Sequence, residues 1–218
     1  LGSGTTLVEA KLLGRNAIGV DINSEAIKLS NTNLNFTCQE SSKIFTKRGN
    51  ATELSFIKDE SINLICTHPP YADIIRYSKK IPGDISRLKY EEFLTALEQV
   101  AREAYRVLKK QGICAFMIGD IRQEGYVLPM GMQSMQKFVD GNIECLTFYD
   151  SGSEVILVCN DEGKLLGLPL NRPLWDGADV LAGPGFLAGC DNEGNLTSLP
   201  QSTMDFYKEK FRAFIIEI

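Results

Sequence analysis

Up to about residue 120 the chain alternates between helical and strand-like hydrophobic rhythms. Thr6 and Glu9 are placed as a capping box that opens a helix through "LVEAKLL", with Gly14 as the residue just past its end. "AIGVD" follows as a strand, "SEAIKLSNTNL" as a helix capped by Asn23 or Ser24, and "KIFTKRGN" as a short strand. "SINLICT" and "GICAFMIGD" read as buried strands, because their apolar runs are continuous. Between them lies a long amphipathic helix, "YEEFLTALEQVAREAYRVLKK", with cations at its end. Regular alternation of strand and helix predicts an α/β fold with a doubly wound sheet.

Past this point the rhythm changes. "PMGMQSMQKFVDG" reads as a helix, but "NIECLTFYD", "SEVILVCN" and "KLLGLPL" follow as three strands without helices between them. A Gly- and Pro-rich stretch then leads to a helix expected from Pro200 to Phe214. The change places a boundary near residues 125–135, giving an α/β domain over 1–130 and a small α+β domain over 131–218.

Charge sharpens that division. Residues 1–130 carry 17 Lys+Arg and 15 Asp+Glu, whereas residues 131–218 carry 6 and 13. The acidic second part would repel nucleic acid, so any such contact belongs to the first. The six cysteines (38, 66, 114, 145, 159 and 190) suit neither zinc spacing nor a disulfide framework and read as small buried hydrophobes in a reducing compartment. No apolar run reaches the ~18 residues of a membrane span and no signal peptide is recognisable, so a cytoplasmic location is expected.

The candidate chemistry begins with "LGSGTT". A Gly-x-Gly turn at the mouth of a helix lets a ligand approach the backbone and points N–H groups at it. A P-loop would need a lysine where Thr5 and Thr6 stand, and a dinucleotide fingerprint a third glycine where Leu7 stands. A nucleoside cofactor without pyrophosphate remains. Asp21 ends the next strand at about the ~20-residue separation at which an acid meets ribose hydroxyls; the same placement also suits a cap for the following helix.

A second motif, His68-Pro69-Pro70-Tyr71, directly follows a strand, where open α/β sheets place their ligand crevices. Two prolines stiffen the turn and remove two donors, leaving carbonyls that accept. Beside an aromatic ring, such a turn suits a planar base bearing an exocyclic amine; the alternative is a turn that only ends its strand. His68, the sole histidine, either accepts an amine hydrogen or packs under the turn. Arg76, Lys79, Lys80, Arg87 and Lys89 form a basic cluster suited to phosphates or to a solvated loop.

With these residues the chain resembles the S-adenosylmethionine-dependent DNA amino-methyltransferases, of the N6-adenine/N4-cytosine type. Leu1-Gly2-Ser3-Gly4-Thr5-Thr6 and Gly14-Arg15-Asn16-Ala17-Ile18-Gly19-Val20-Asp21 match that family's cofactor motif, and His68-Pro69-Pro70-Tyr71 its catalytic motif, with His68 in place of the usual acid or amide. The resemblance covers roughly residues 1–130 and implies a Rossmann-like sheet whose first strand, with the start of the cofactor motif, is missing from this chain. It further implies that S-adenosylmethionine is held by Gly2, Ser3, Gly4 and Thr5, with Asp21 on the ribose and Asn50 on the adenine amine. His68, Pro69, Pro70 and Tyr71 would be catalytic, and DNA the substrate, with RNA as an alternative.

The second part resembles a small uncharacterised domain of plasmid- and phage-associated proteins, through "LVCNDEGKLLGLPLNRPL", "LAGPGFLAG" and "SLPQSTMDFYKEKF". That likeness implies a mobile-element context and no mechanism; Asn171, Arg172 and Trp175 are candidates for an exposed contact surface toward a protein partner, with a buried Trp175 as the alternative. No segment has the length or basic composition of a target-recognition region. A non-catalytic remnant serving as a scaffold is therefore the reading from a different class.

Overall fold

The computed structural model describes residues 1–75, 77, 78, 81–123, 125–149, 154–191, 193, 194 and 196–212. The chain forms two compact units, 1–130 and 131–218.

The first unit has an α/β course. Helix α1 (Thr5–Leu12) leads to strand β1 (Ala17–Asp21), helix α2 (Ser24–Asn33) to β2 (Ile44–Arg48), and β3 (Ile62–Thr67) through two short 3-10 turns to helix α3 (Tyr90–Val107) and strand β4 (Leu108–Phe116). β1 pairs with β2 and β3 with β4, both parallel, as the crossover helices require. Among the described residues these are two separate two-stranded sheets, not one doubly wound sheet. The side chains differ accordingly from the expected buried strands: Leu64 in β3 is 58% exposed and Ile18 in β1 is 44% exposed. A hairpin that the apolar pattern does not announce, β5 (Ile121–Gln123) with β6 (Tyr126–Leu128), closes the unit around Gly125.

Helix α3 supplies most of this unit's core. Phe93, Leu94, Leu97, Ala101, Ala104 and Val107 recur at helical spacing and are all buried. The helix stops at Val107 because Leu108 turns extended and enters β4. Its last turn is fastened to the 54–61 segment by Arg106, which donates to the carbonyls of Leu54 (2.9 Å) and Ile57 (3.0 Å) and pairs with Glu103 and Asp59.

At the start of the chain the structure corrects one detail. α1 begins at Thr5 with Gly4 as its N-cap in the left-handed conformation and no side-chain cap, so Thr6 and Glu9 do not form a capping box. Asn23 does cap α2, accepting from the Glu25 N–H at 3.0 Å.

The second unit is layered. Helix α4 (Met130–Val139) begins at the boundary; β7 (Ile143–Phe148), β8 (Val155–Asn160), β9 (Leu170–Leu174), β10 (Asp179–Ala182), β11 (Gly185–Cys190), β12 (Leu196–Thr197) and helix α5 (Gln201–Arg212) follow. The order β12-β11-β8-β7 makes an antiparallel sheet with β8 inside it, and every residue of β8 is buried. Val155, Leu157 and Cys159 point to a core shared with Leu174, Leu181 and Tyr207, hence with the β9–β10 hairpin and α5. On the opposite face Phe186, paired with Val158, meets Phe138 of α4 edge-on at 5.9 Å.

"KLLGLPL" is not a strand. Residues 161–167 form turns, with Leu166 N–H donating to the Glu162 carbonyl and Gly167 at φ +67°, leaving Leu165 86% exposed. Glycines at 163 and 167 and Pro169 break the ladder that the leucines suggest. Nor are the cysteines uniformly buried: Cys159 is, whereas Cys66 and Cys145 are exposed. The last two residues of the expected final helix, 213 and 214, lie outside the described residues.

Candidate functional site

The glycine turn is built by its own backbone and by α2. Gly2 and Gly4 adopt φ +56° and +84°. Ser30 of α2, fully buried, donates to the Gly2 carbonyl at 3.1 Å, and Asn33 donates to the Ser3 carbonyl at 2.9 Å. A side chain at Gly4 would meet Ser30 at 2.8 Å, so only glycine satisfies both the conformation and the contact there. Ser3 and Thr5 share a hydroxyl–hydroxyl bond of 3.1 Å.

Asp21 ties this turn to β1. Its Oδ2 accepts from the Gly2 N–H at 3.2 Å and lies 3.2 Å from the Leu1 nitrogen, while Oδ1 accepts from the Asn23 N–H at 2.8 Å. The Gly2 and Gly4 N–H groups are therefore taken up within the protein, the latter by the Leu1 carbonyl at 3.0 Å. The Asp21 side chain keeps 18% of its surface exposed, and the space beside the Gly2 Cα is open. Asn50, just past β2, accepts from the Thr52 N–H at 3.1 Å, which spends one lone pair of its amide oxygen on a local turn.

The Pro-Pro turn stands at the carboxyl end of β3. His68 is exposed, Pro69 buried, and Pro70 and Tyr71 half-buried. His68 Nε2 and the Tyr71 hydroxyl are 3.3 Å apart in a hydrogen bond, with the rings edge-to-face at 5.5 Å. The Tyr71 hydroxyl also lies over Gly119, just beyond β4: a Cβ at Gly119 would be 3.8 Å from it. Buried Ala72 follows at φ +46°, a conformation disfavoured for alanine, so the backbone is bent sharply where Tyr71 is presented.

Of the basic cluster, Arg76, Lys79 and Lys80 lie outside the described residues; Arg87 donates to the Ser78 carbonyl at 2.9 Å and Lys89 is exposed. In the second unit Trp175 is 45% exposed, whereas Asn171 and Arg172 are half-buried and bonded to each other at 2.8 Å. Burial holds the Arg172 guanidinium below its ordinary range. Sequence reasoning missed Ser30 and Asn33, whose spacing of three on one helix face was the available signal. It also missed Asn23 as a partner of Asp21, and Tyr77 and Gly83, which reach back to Asn23 and Asn50.

Comparison with known proteins finds two separate matches along the chain. Residues 1–32 match a family described as DNA methylase, and residues 115–212 match a domain of unknown function (DUF3846). No curated protein matches. Among solved structures, a SAM-dependent methyltransferase from Methanosarcina mazei aligns at 16% identity and TM-score 0.46, covering 85% of this chain and 86% of that one. A protein from Pyrococcus horikoshii aligns at 14% identity and TM-score 0.40, over 96% and 70%. A proposed DNA modification methylase from Thermus thermophilus aligns at 29% identity and TM-score 0.34, over 45% of this chain and 40% of that one. No helix among the described residues is long and apolar enough to cross a membrane.

Proposed function

We propose that residues 1–130 form an S-adenosylmethionine-dependent methyltransferase core that acts on an exocyclic amine of adenine or cytosine in DNA. The observation that carries this reading is the His68–Tyr71 pair at the carboxyl end of β3, in the same unit as a glycine turn fastened to Asp21. The open side of Gly2 and the exposed part of the Asp21 carboxylate fit the methionine and ribose ends of such a donor, with Ser3, Gly4 and Thr5 completing the turn. The donor supplies an electrophilic methyl group.

The chain's own residues prepare the nucleophile. When His68 Nε2 carries the proton and donates to the Tyr71 hydroxyl, Nδ1 is left as an acceptor for an amine hydrogen. The Pro69 carbonyl offers a second acceptor, and Pro69 and Pro70 contribute no competing N–H. Two acceptors turn the amine lone pair out of conjugation with the ring and leave a site for the departing proton. The Tyr71 ring gives the base a stacking surface, oriented by its bond to His68. As a second reading, the two separate strand pairs, with apolar side chains of β1 and β3 exposed, favour a non-catalytic scaffold.

Calorimetric titration with S-adenosylmethionine, followed by tritiated methyl transfer to unmethylated DNA and to RNA, tests the proposal. Tyr71→Ala should lower transfer about 10- to 100-fold through lost stacking while sparing donor affinity. His68→Asp should retain or raise transfer. A folded chain that does not bind the donor would favour the scaffold.

A further inference from the structure

Between the Pro-Pro turn and α3, the described residues Tyr77, Ser78 and Ile81 to Leu88 fold around one buried carboxylate. Asp84 is 8% exposed and Ser86 1% exposed. The Asp84 carboxylate accepts from the Ser78 hydroxyl and from the Ser86 N–H at 2.9 Å. The Ser86 hydroxyl accepts from the Tyr77 N–H at 3.2 Å, and Arg87 donates to the Ser78 carbonyl at 2.9 Å. Burial raises the Asp84 carboxyl, but the hydrogen bonds from Ser78 and Ser86 and the charge of Arg87 outweigh it and hold the group below the ordinary aspartate range. It is thus a charged centre whose acceptors are satisfied within the segment.

This knot reaches the other half of the site. Gly83, next to Asp84, has φ +82°, and a Cβ there would lie 2.9 Å from the Asn50 amide nitrogen and 3.5 Å from Ile22 Cδ1. The Tyr77 carbonyl accepts from the Asn23 amide at 3.5 Å. The segment that begins at the catalytic turn therefore rests on the residues just beyond β1 and β2, beside Asp21. Neither composition nor helix packing calls for a buried aspartate here; an apolar loop would sit on Ile22 equally well.

We propose that Asp84 is a positioning residue for the methyl-donor site: its knot holds Gly83 against Asn50 and Ile22, so that this turn forms the wall on which the nucleoside end of the donor packs. The inference rests on the methyl-donor reading above. It makes Gly83 a specificity determinant, because any side chain at this position intrudes on Asn50 and demands a left-handed backbone that only glycine adopts readily.

The test uses the full chain and the variants Asp84→Ala, Asp84→Asn and Gly83→Ala, with two readouts. Hydrogen exchange without donor follows the Tyr77 and Ser86 amides; calorimetry with S-adenosylmethionine follows affinity. Asp84→Ala should speed exchange at both amides and weaken the donor at least about tenfold by lowering the fraction of chains with the wall in place. Asp84→Asn, which keeps an acceptor for Ser86, should recover most of that loss. Gly83→Ala should weaken the donor to a similar extent. Faster exchange in Asp84→Ala with unchanged donor affinity would reduce the knot to a local structural feature and overturn the proposal. A wild-type chain that binds no donor would overturn the methyl-donor reading, and the inference with it.

Discussion

Strands β3 and β8 are both six-residue apolar segments, and they end in opposite surroundings. β8 has β7 on one side and β11 on the other, with α4 over one face and the β9–β10 hairpin and α5 over the other, so all six of its residues are buried. Among the described residues β3 pairs with β4 alone and leaves Leu64 58% exposed. Apolar character alone does not bury a strand; two hydrogen-bonded neighbours and a cover on each face do. The second unit's cohesion lies in its sheet, whereas the first unit's lies in α3 and the loops fastened to it.

The largest expected effect follows from that contrast. Leu157→Ala opens a cavity in a core closed on every side and should destabilise the second unit by about 2–5 kcal/mol. Leu64→Ala removes a side chain already in solvent and should cost less than about 0.5 kcal/mol. Urea unfolding separates the two: the single tryptophan, Trp175, packs on Phe148 at 5.7 Å and reports the second unit by fluorescence, while circular dichroism, dominated by the long helix α3, follows the first. An equal loss in Leu64→Ala would mean that the exposed face of β3 is covered in solution, and the contrast would fail.

The same contrast marks how far the sequence could be read. Helices α2 and α3 were legible through a cap and a periodic apolar stripe: Asn23 before α2, and Phe93, Leu97, Ala101 and Ala104 in α3. β9 to β12 were not, because they are short and set among glycines and prolines that mask their apolar pattern. "KLLGLPL" drew the strand assignment through its leucines, whereas Gly163 and Gly167 set the backbone. At the candidate site the two motifs were legible as patterns. Their fastenings were not: Ser30 on Gly2, Asn23 on Asp21 and the Asp84 knot join polar residues distant from the motifs or buried in a loop, and hydropathy carries no sign of such partners.

A smaller effect in the second unit should come from Asn160, the buried polar end of β8. Its amide donates to the carbonyls of Val139 (3.1 Å) and Asp140 (2.9 Å), and its oxygen accepts from the Glu162 N–H at 2.9 Å. One side chain thus satisfies the C-terminal end of α4 and the turn after β8 together. Asn160→Ala should cost about 1–3 kcal/mol by leaving those groups unpaired, read by the same fluorescence transition. Asn160→Asp should be no better, since a carboxylate oxygen cannot donate to either carbonyl.

The smallest and most diagnostic effect belongs to the first unit, where an ion-pair network takes the place of a closed sheet. Glu103 accepts from Arg106 at 2.8 Å and from the Leu54 N–H at 2.5 Å, while Arg106 spans from Glu103 to the carbonyls of Leu54 and Ile57. The Arg106 hydrogen bond lowers the Glu103 carboxyl below the ordinary glutamate range, against a smaller opposing contribution from burial and with help from the Leu54 N–H. A carboxyl depressed by folding stabilises the folded state above its unfolded value, and that contribution disappears as pH falls through its folded value. The first unit should therefore lose the stability that Glu103 supplies progressively as pH drops below the ordinary glutamate range. Glu103→Gln should melt earlier than the wild type at neutral pH, and the gap should narrow as the solution is acidified, measured by circular dichroism in parallel with Trp175 fluorescence. A gap that stays constant with pH would show that the bond to Leu54, and not the charge paired with Arg106, is what Glu103 contributes.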